Sequence, residues 1–203
     1  LVLRKGHDRL LDAWPEVLRR HPGARLVIVG EGPMRRRLAD RAEREVPGTV
    51  TLTGPVPDAD LPGYYAAADA FVLPCRDERR GLQVEGLGLS VLEASAAGLP
   101  VVVGRSGGSP ESVLDGETGM VVDAADPREL TRALNELLDD PSAARRMGEA
   151  GRRWVCATWS WDRAAARLAG LLHDPPDASA APVARPRSRQ AARKAPVWDS
   201  EGR

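Results

Sequence analysis

The chain has 203 residues, 29 Lys plus Arg against 29 Asp plus Glu, and 42% apolar residues with few aromatics. That length suffices for one domain with its own core, and a formal charge of zero argues against a protein that works by blanketing nucleic acid or anionic lipid. Two cysteines, Cys75 and Cys156, are too few for a disulfide framework and suit a reducing cytosol, and no apolar run reaches the roughly 20 residues needed to cross a bilayer.

The chain opens on Leu1-Val2-Leu3 without a Met or a signal segment, as though entered part-way through a strand, and reads as a piece of a longer protein. From there to about residue 123, short β-branched runs alternate with helical patterns. The predicted strands are Leu1 to Leu3, Arg25 to Val29, Val50 to Leu52, Ala70 to Leu73, Pro100 to Val103 and Met120 to Val122. Each is short, continuous and unalternated, as expected for strands buried on both faces of a parallel sheet. The predicted helices between them are His7 to Arg20, Met34 to Glu45, Leu61 to Ala67 and Ser90 to Ala97, with Leu10, Leu11, Trp14, Val17 and Leu18 recurring at helical spacing. This alternation predicts a Rossmann-like, doubly wound α/β domain.

From Asp126 the pattern is all-helical. Asp126-Pro127 reads as a cap and first-turn proline for a helix to Leu138, Pro141-Ser142 starts another to about Thr158, and Ser160 caps a last one ending near Leu172. The remainder, 173–203, is rich in Pro, Ala and Arg; residues 177–203 carry a net charge of +3. Such a composition buries too little surface to offset its ordering entropy and reads as a solvated, disordered tail. The organisation expected is thus a domain over 1–172 with a helical C-terminal extension, then a tail.

Ligands of open parallel sheets bind beyond the carboxyl ends of the strands. Two of the loops there resemble dinucleotide fingerprints. Gly30-Glu31-Gly32 follows a strand and precedes a helix, but Arg35 stands where a third glycine belongs, so a nicotinamide-dependent oxidoreductase is disfavoured. The richer segment is Gly81 to Pro100, in which seven residues separate Glu85 from Glu93, with Gly86 and Gly88 between them. Those glycines let the backbone turn sharply and approach a ligand. The helix that follows, from Leu89 or Ser90, points free N–H groups and its positive dipole end at the same loop. That is a cradle for a diphosphate, flanked by two acceptor-only carboxylates: Glu93 suits the adjacent hydroxyls of a ribose, and Glu85 suits whatever lies beyond the phosphates. The competing reading is that Glu93 only complements a helix dipole and Glu85 is a solvated loop residue.

These residues resemble the E-x7-E motif of the retaining GT-B glycosyltransferases. Lys5-Gly6 with Asp8 resembles that family's R-K-G-x-D run, Val27 to Pro33 its V-G-x-G-P turn, and Val50 to Val56 its F-x-G-x-V strand. Tyr64 to Pro74 resembles its Y-x-x-A-D-x-x-x-x-P stretch, while Gly107-Gly108 with Glu111 and Asp115-Gly116 with Thr118-Gly119 resemble its G-G-x-x-E and D-G-x-T-G tail. The stretch from Arg76 to Val102, with Gln83-Val84 before Glu85, is most similar to the GDP-mannose-dependent enzymes that mannosylate phosphatidylinositol mannosides.

The resemblance implies the donor-binding half of a mannosyltransferase and a role for each matched residue. Lys5 and Glu85 would be catalytic, the first neutralising the donor diphosphate and the second holding the transferred sugar. The backbone N–H groups of Gly88 and Leu89 would bind the diphosphate, Glu93 the ribose, and Thr53 to Val56, Gly54 and Val56 among them, with Leu73-Pro74 the base; Arg4, Gly86 and Ser90 would also contact the donor. No metal site is implied; Mg²⁺ is optional, and the nucleotide-sugar is a substrate rather than a cofactor. The resemblance also implies a first Rossmann domain carrying the acceptor site as partner, without which these residues would not catalyse transfer. It implies a cytoplasmic enzyme that visits the membrane face if its acceptor is a lipid, and no nucleic-acid partner. Two alternatives stay open at this point: a UDP-sugar-dependent enzyme with a soluble acceptor, and a non-catalytic nucleotide-binding remnant.

Overall fold

A computed structural model of the chain describes residues 1–78 and 81–173, in two compact units, Leu1–Arg163 and the run from Ala164 onward. In the first unit five short strands alternate with helices: α1 (His7–Arg20), β1 (Leu26–Val29), α2 (Arg35–Glu45), β2 (Val50–Gly54), α3 (Leu61–Ala67), β3 (Phe71–Leu73), α4 (Leu89–Ala96), β4 (Val101–Gly104), β5 (Met120–Val122), α5 (Pro127–Asp139) and α6 (Pro141–Thr158). A final helix, α7 (Trp161–His173), begins in the first unit and runs on into the second. The proposed tail lies outside the described residues, apart from His173.

All strand pairs are parallel. β1 pairs with β2 (Val27 opposite Thr51), and β3, β4 and β5 pair in that order (Val72 opposite Val102, Val103 opposite Val121). β4 explains why its sequence reads as an unbroken apolar run. Val101, Val102 and Val103 are all fully buried, because helices cover both faces. Val102 points into a core built from Leu10, Leu11, Trp14 and Val17 of α1 and Leu130, Leu134 and Leu137 of α5. Val101 and Val103 point the other way, onto Val91 and Ala94 of α4 and Val113. The first core also gathers Leu26, Val50 and Leu52 from the β1–β2 pair with Val72 and Val122 from the other sheet, so both sheets share one helical layer. Burying each such aliphatic side chain stabilises the fold by about 1.5–3 kcal/mol. The doubly wound α/β architecture with a helical C-terminal extension is therefore the one expected.

Several helix limits follow from local chemistry. The Asp126 carboxylate accepts a hydrogen bond from the Arg128 N–H at 2.9 Å and Pro127 fills the first turn of α5; Asp140 caps α6 in the same way through the Ala143 N–H, with Pro141 following it. The Ser160 hydroxyl accepts from the Arg163 N–H at 3.3 Å at the start of α7.

The expected strand at Leu1 to Leu3 is not formed. Leu3–Lys5 is instead a 3-10 turn, closed by the Gly6 N–H donating to the Leu3 carbonyl at 3.1 Å. The Leu1 carbonyl accepts from the N–H of Met34, which lies beyond the carboxyl end of β1. The chain at Leu1 is therefore already level with the loops above the sheet, where no neighbouring strand is available to pair with it.

Candidate functional site

The loops at the carboxyl ends of β3 and β4 converge on the turn that precedes α1. Gly6 makes this approach work. Its φ of 73° is left-handed, and a Cβ there would collide with the Pro74 carbonyl at the end of β3. Just beyond, the Arg76 N–H donates to the Arg4 carbonyl at 2.9 Å. The Arg76 guanidinium forks onto Asp8 at 2.9 and 3.0 Å and reaches Glu78 at 2.6 Å. Burial would raise the Asp8 carboxyl, but the Arg76 hydrogen bonds and charge outweigh it and hold the group below its ordinary range. Residues 4–8 and 74–78 are thereby pinned to each other.

The Glu85 carboxylate lies against this pair of turns. Its Oε2 accepts from Arg4 Nη1 and from Lys5 Nζ, each at 2.9 Å, and the residue is only 7% exposed. Its backbone is held as firmly. The Glu85 N–H donates to Ser106 Oγ at 3.0 Å, and the Glu85 carbonyl accepts from the Gly108 N–H at 3.1 Å. A side chain on Gly107 or Gly108 would strike the Glu85 or Gly86 carbonyl, so only the Ser106-Gly107-Gly108 turn lets β4 approach the Glu85 loop this closely.

Gly88 then turns the chain into α4 at a φ of 83°, with the Val91 N–H donating to its carbonyl at 2.8 Å. The N–H groups of Leu89 and Ser90 fall in the first turn, where a helix offers no internal partner. Gly86, Leu89 and Glu93 are exposed to solvent along this edge. Glu93 stands on α4 and accepts a hydrogen bond from the Tyr65 hydroxyl at 2.9 Å; burial first, then this carboxylate, raise the Tyr65 phenol well above its ordinary range.

Arg4, Lys5 and Glu85 thus form one ionic cluster, next to a glycine-led helix start formed by Gly86, Gly88, Leu89 and Ser90. Glu93 is on the first turns of that helix but engages Tyr65 rather than the cluster. Gly54 and Val56 are at the end of β2. There the Gly54 carbonyl accepts from the Gly30 N–H at 2.8 Å, and Gly54 lies beside the ion pair of Glu31 with Arg35. Arg35, which interrupts the first glycine pattern, is thus spoken for by Glu31.

Sequence reasoning gave Glu85 two readings, one meeting what lies beyond the phosphates and one solvated in its loop; it is instead buried against two cations, and Arg76, Asp77 and Ser106 of the surrounding loops were not singled out. Their only signal was position, each lying three or four residues beyond the end of a predicted strand. His7, expected to be solvated or at a helix end and to match no metal spacing, is at a helix end but has a largely buried ring. It opens α1 next to Lys5, and its buried Nδ1 has no hydrogen-bond partner among the described residues. Burial, reinforced by nearby positive charge, pushes its pKa down to about 4, so the ring is neutral at physiological pH. Cys75 is fully buried with Sγ 3.1 Å from Ser109 Oγ and 3.4 Å from the Gly104 carbonyl; burial raises its thiol, which is not a nucleophile here. Two surface grooves, of about 660 Å³ on the arginine-rich face of α2 and about 820 Å³ between α1 and α5, lie away from Glu85 and Glu93. Their linings mix paired acids and bases, so the chemistry argues for the loop cluster instead. Among the described residues no group of three or more His, Cys, Asp or Glu side chains gathers in one place.

Such a parallel sheet with its reactive loops at the carboxyl ends defines a Rossmann-like α/β domain whose basic cluster and helix start suit an anionic ligand. The sequence profile of the family Glycosyl transferases group 1 matches residues 1–154, and the chain belongs to that family. It is 51% identical over 173 residues to a GDP-mannose-dependent alpha-(1-6)-phosphatidylinositol monomannoside mannosyltransferase of Mycolicibacterium smegmatis, an alignment covering 85% of this chain and 45% of the relative. A GDP-mannose-dependent monoacylated alpha-(1-6)-phosphatidylinositol monomannoside mannosyltransferase of Corynebacterium glutamicum is 44% identical, over 87% of this chain and 46% of the relative. Among solved structures, sucrose-phosphate synthase from Thermosynechococcus elongatus superposes with a TM-score of 0.71 at 31% identity, over 84% of this chain and 42% of that one. The chain spans less than half the length of the curated relatives it matches.

Proposed function

We propose that these residues form the donor-binding half of a retaining glycosyltransferase that transfers mannose from GDP-mannose to a phosphatidylinositol mannoside or a similar glycolipid. The observation that carries this reading is the convergence of Arg4, Lys5 and Glu85 beside the amino end of α4. Two cations and the first N–H groups of a helix are the chemistry that a departing diphosphate needs, since charge builds on that leaving group as the glycosidic bond breaks. Lys5, Arg4 and the N–H groups of Gly88, Leu89 and Ser90 hold the diphosphate, with Gly86 permitting its close approach. Glu93 accepts from the ribose hydroxyls, exchanging its bond to Tyr65 for them, and Gly54 and Val56 border the base. Glu85 accepts from hydroxyls of the mannose once the diphosphate draws Arg4 and Lys5 toward itself. The acceptor hydroxyl then attacks from the side the nucleotide leaves, which retains the anomeric configuration.

Mg²⁺ is assigned no residue in this reading. The rest of the active site belongs to a first Rossmann domain of the kind that makes up the remaining length of the relatives, and transfer requires it. With a lipid acceptor, the complete enzyme works at the cytoplasmic membrane face as a peripheral protein; no described helix is long and apolar enough to cross a bilayer. Titration calorimetry of the chain with GDP-mannose, GDP, UDP and ADP tests the reading. Guanine nucleotides are expected to bind, and Glu93→Ala to weaken them by about tenfold, the equivalent of one charge-assisted hydrogen bond. Binding of UDP alone overturns the GDP-mannose assignment, and equal binding by wild type and Glu93→Ala removes Glu93 from the site.

A further inference from the structure

Ser106 is 2% exposed and sits at the crossing of two hydrogen bonds. Its hydroxyl accepts from the Glu85 N–H at 3.0 Å and donates to Asp77 Oδ1 at 2.7 Å. A hydroxyl has one proton. Spending it on Asp77 turns the lone pairs toward Glu85, so the exposed carboxylate of Asp77 sets the orientation of a buried group it does not share with any ligand.

The same hydroxyl joins the two ends of one loop. Asp77 follows β3 and Glu85 precedes α4; between them the Glu78 N–H donates to the Gln83 carbonyl at 2.9 Å and the Gln83 N–H returns to the Glu78 carbonyl at 3.2 Å. Glycines at 81, 86 and 88 give this stretch a high entropy cost of ordering. What orders it comes from the core. Ser106 to Gly108 continue directly from β4, whose valines are completely buried, and Gly108 supplies the second tether at the Glu85 carbonyl. The Ser109 Oγ lies 2.6 and 2.9 Å from the Gly104 and Ser106 carbonyls, and the one proton it donates there ties down the turn itself.

We infer that Asp77 and Ser106 are positioning residues that aim the Glu85 carboxylate at the sugar of the donor. The inference rests on the donor-site reading above, and it makes the sugar-dependent share of donor affinity depend on two side chains that touch neither the sugar nor the nucleotide. GDP, which lacks the sugar, does not need them.

The test compares wild type, Asp77→Ala, Asp77→Asn and Ser106→Ala in the full chain by two measurements. Hydrogen exchange at the Glu85 amide reads the clamp without any ligand, and calorimetry with GDP-mannose and GDP reads its use. Asp77→Ala and Ser106→Ala are expected to speed exchange at Glu85 and to weaken GDP-mannose by about five- to tenfold, the loss of one modest hydrogen bond, with GDP not weakened. Asp77→Asn keeps a carbonyl oxygen for the Ser106 proton and restores both. Because Asp77 is exposed, its variants are expected to fold. Unchanged exchange in Asp77→Ala overturns the clamp. Faster exchange with GDP-mannose and GDP weakened equally, or neither weakened, overturns its role toward the sugar, as does failure of Asp77→Asn to rescue. If no guanine nucleotide binds the wild type, the donor-site reading itself falls, while the exchange data still decide whether the clamp exists.

Discussion

Replacing Glu85 by glutamine takes one negative charge from between two positive ones while keeping nearly the same shape. In the wild type a single oxygen, Oε2, accepts from Arg4 and Lys5 at 2.9 Å, with the Glu85 side chain 9% exposed against 34% for Arg4 and 27% for Lys5. Removing one member of a fully buried pair costs about 3–5 kcal/mol, whereas an exposed pair is worth about 0–1 kcal/mol. Here the carboxylate is buried but both cations reach water, and the glutamine carbonyl still accepts one hydrogen bond. The expected loss is therefore about 1–2 kcal/mol, measured by urea unfolding. Binding moves the other way. A diphosphate must share Arg4 and Lys5 with a carboxylate in the wild type and only with a neutral amide in Glu85→Gln, so GDP affinity should rise by about three- to tenfold, an increment that shrinks with added salt. The extra affinity of GDP-mannose over GDP should disappear, because the amide is a weaker acceptor for sugar hydroxyls. A fall in GDP affinity with the fold intact refutes the claim that Glu85 and the diphosphate compete for the same two cations.

Three further perturbations probe the frame around the site. Leu130→Ala, at a fully buried position of α5 facing α1, should cost about 2–5 kcal/mol in urea unfolding, and a cost below 1 kcal/mol would mean that α5 is not part of the core. Gly88→Ala forces an L side chain into a left-handed conformation with its Cβ 3.2 Å from Val91 Cγ2; a loss of about 1–2 kcal/mol and weaker GDP binding are expected from unfolding and calorimetry together. His7 supplies a pH dependence. The unfolded chain takes up this proton near 6.5 and the folded one only near 4, so its contribution is complete above pH 6.5 and is lost as the pH falls toward 4, by about 3 kcal/mol. Asp8, held below its ordinary value by Arg76, adds a further loss at lower pH still. In unfolding at pH 7, 5.5 and 4.5 the stability of wild type relative to His7→Leu should fall steadily as the pH drops; a difference that does not change with pH would show that His7 titrates normally.

Much of this protein follows from neighbours in the chain. The limits of α1 agree with the periodicity of its apolar residues, those of α3 match the predicted Leu61 to Ala67, and α5 and α6 begin where an aspartate followed by proline can cap a helix. β4 was visible as a strand buried on both sides because three successive valines have no solvated face. Gly88 announced the turn into α4 for the same kind of reason, since a left-handed residue is written directly in its residue type, whereas Gly86 takes no positive φ and has no atom near its missing side chain.

Tertiary structure alone decided what those elements bring together. Leu1 to Leu3 has the composition of a strand but no neighbour to pair with, and composition cannot supply one. Glu85 is far in sequence from Arg4 and Lys5 and well short of Ser106, yet it meets all three, because the parallel strands deliver their carboxyl-end loops to one edge of the sheet. Periodicity and caps depend on contacts within a few residues and can be read along the chain. A buried carboxylate with two cations and a hydroxyl clamp depends on which loops the packed core holds side by side, and that is a property of the folded sheet.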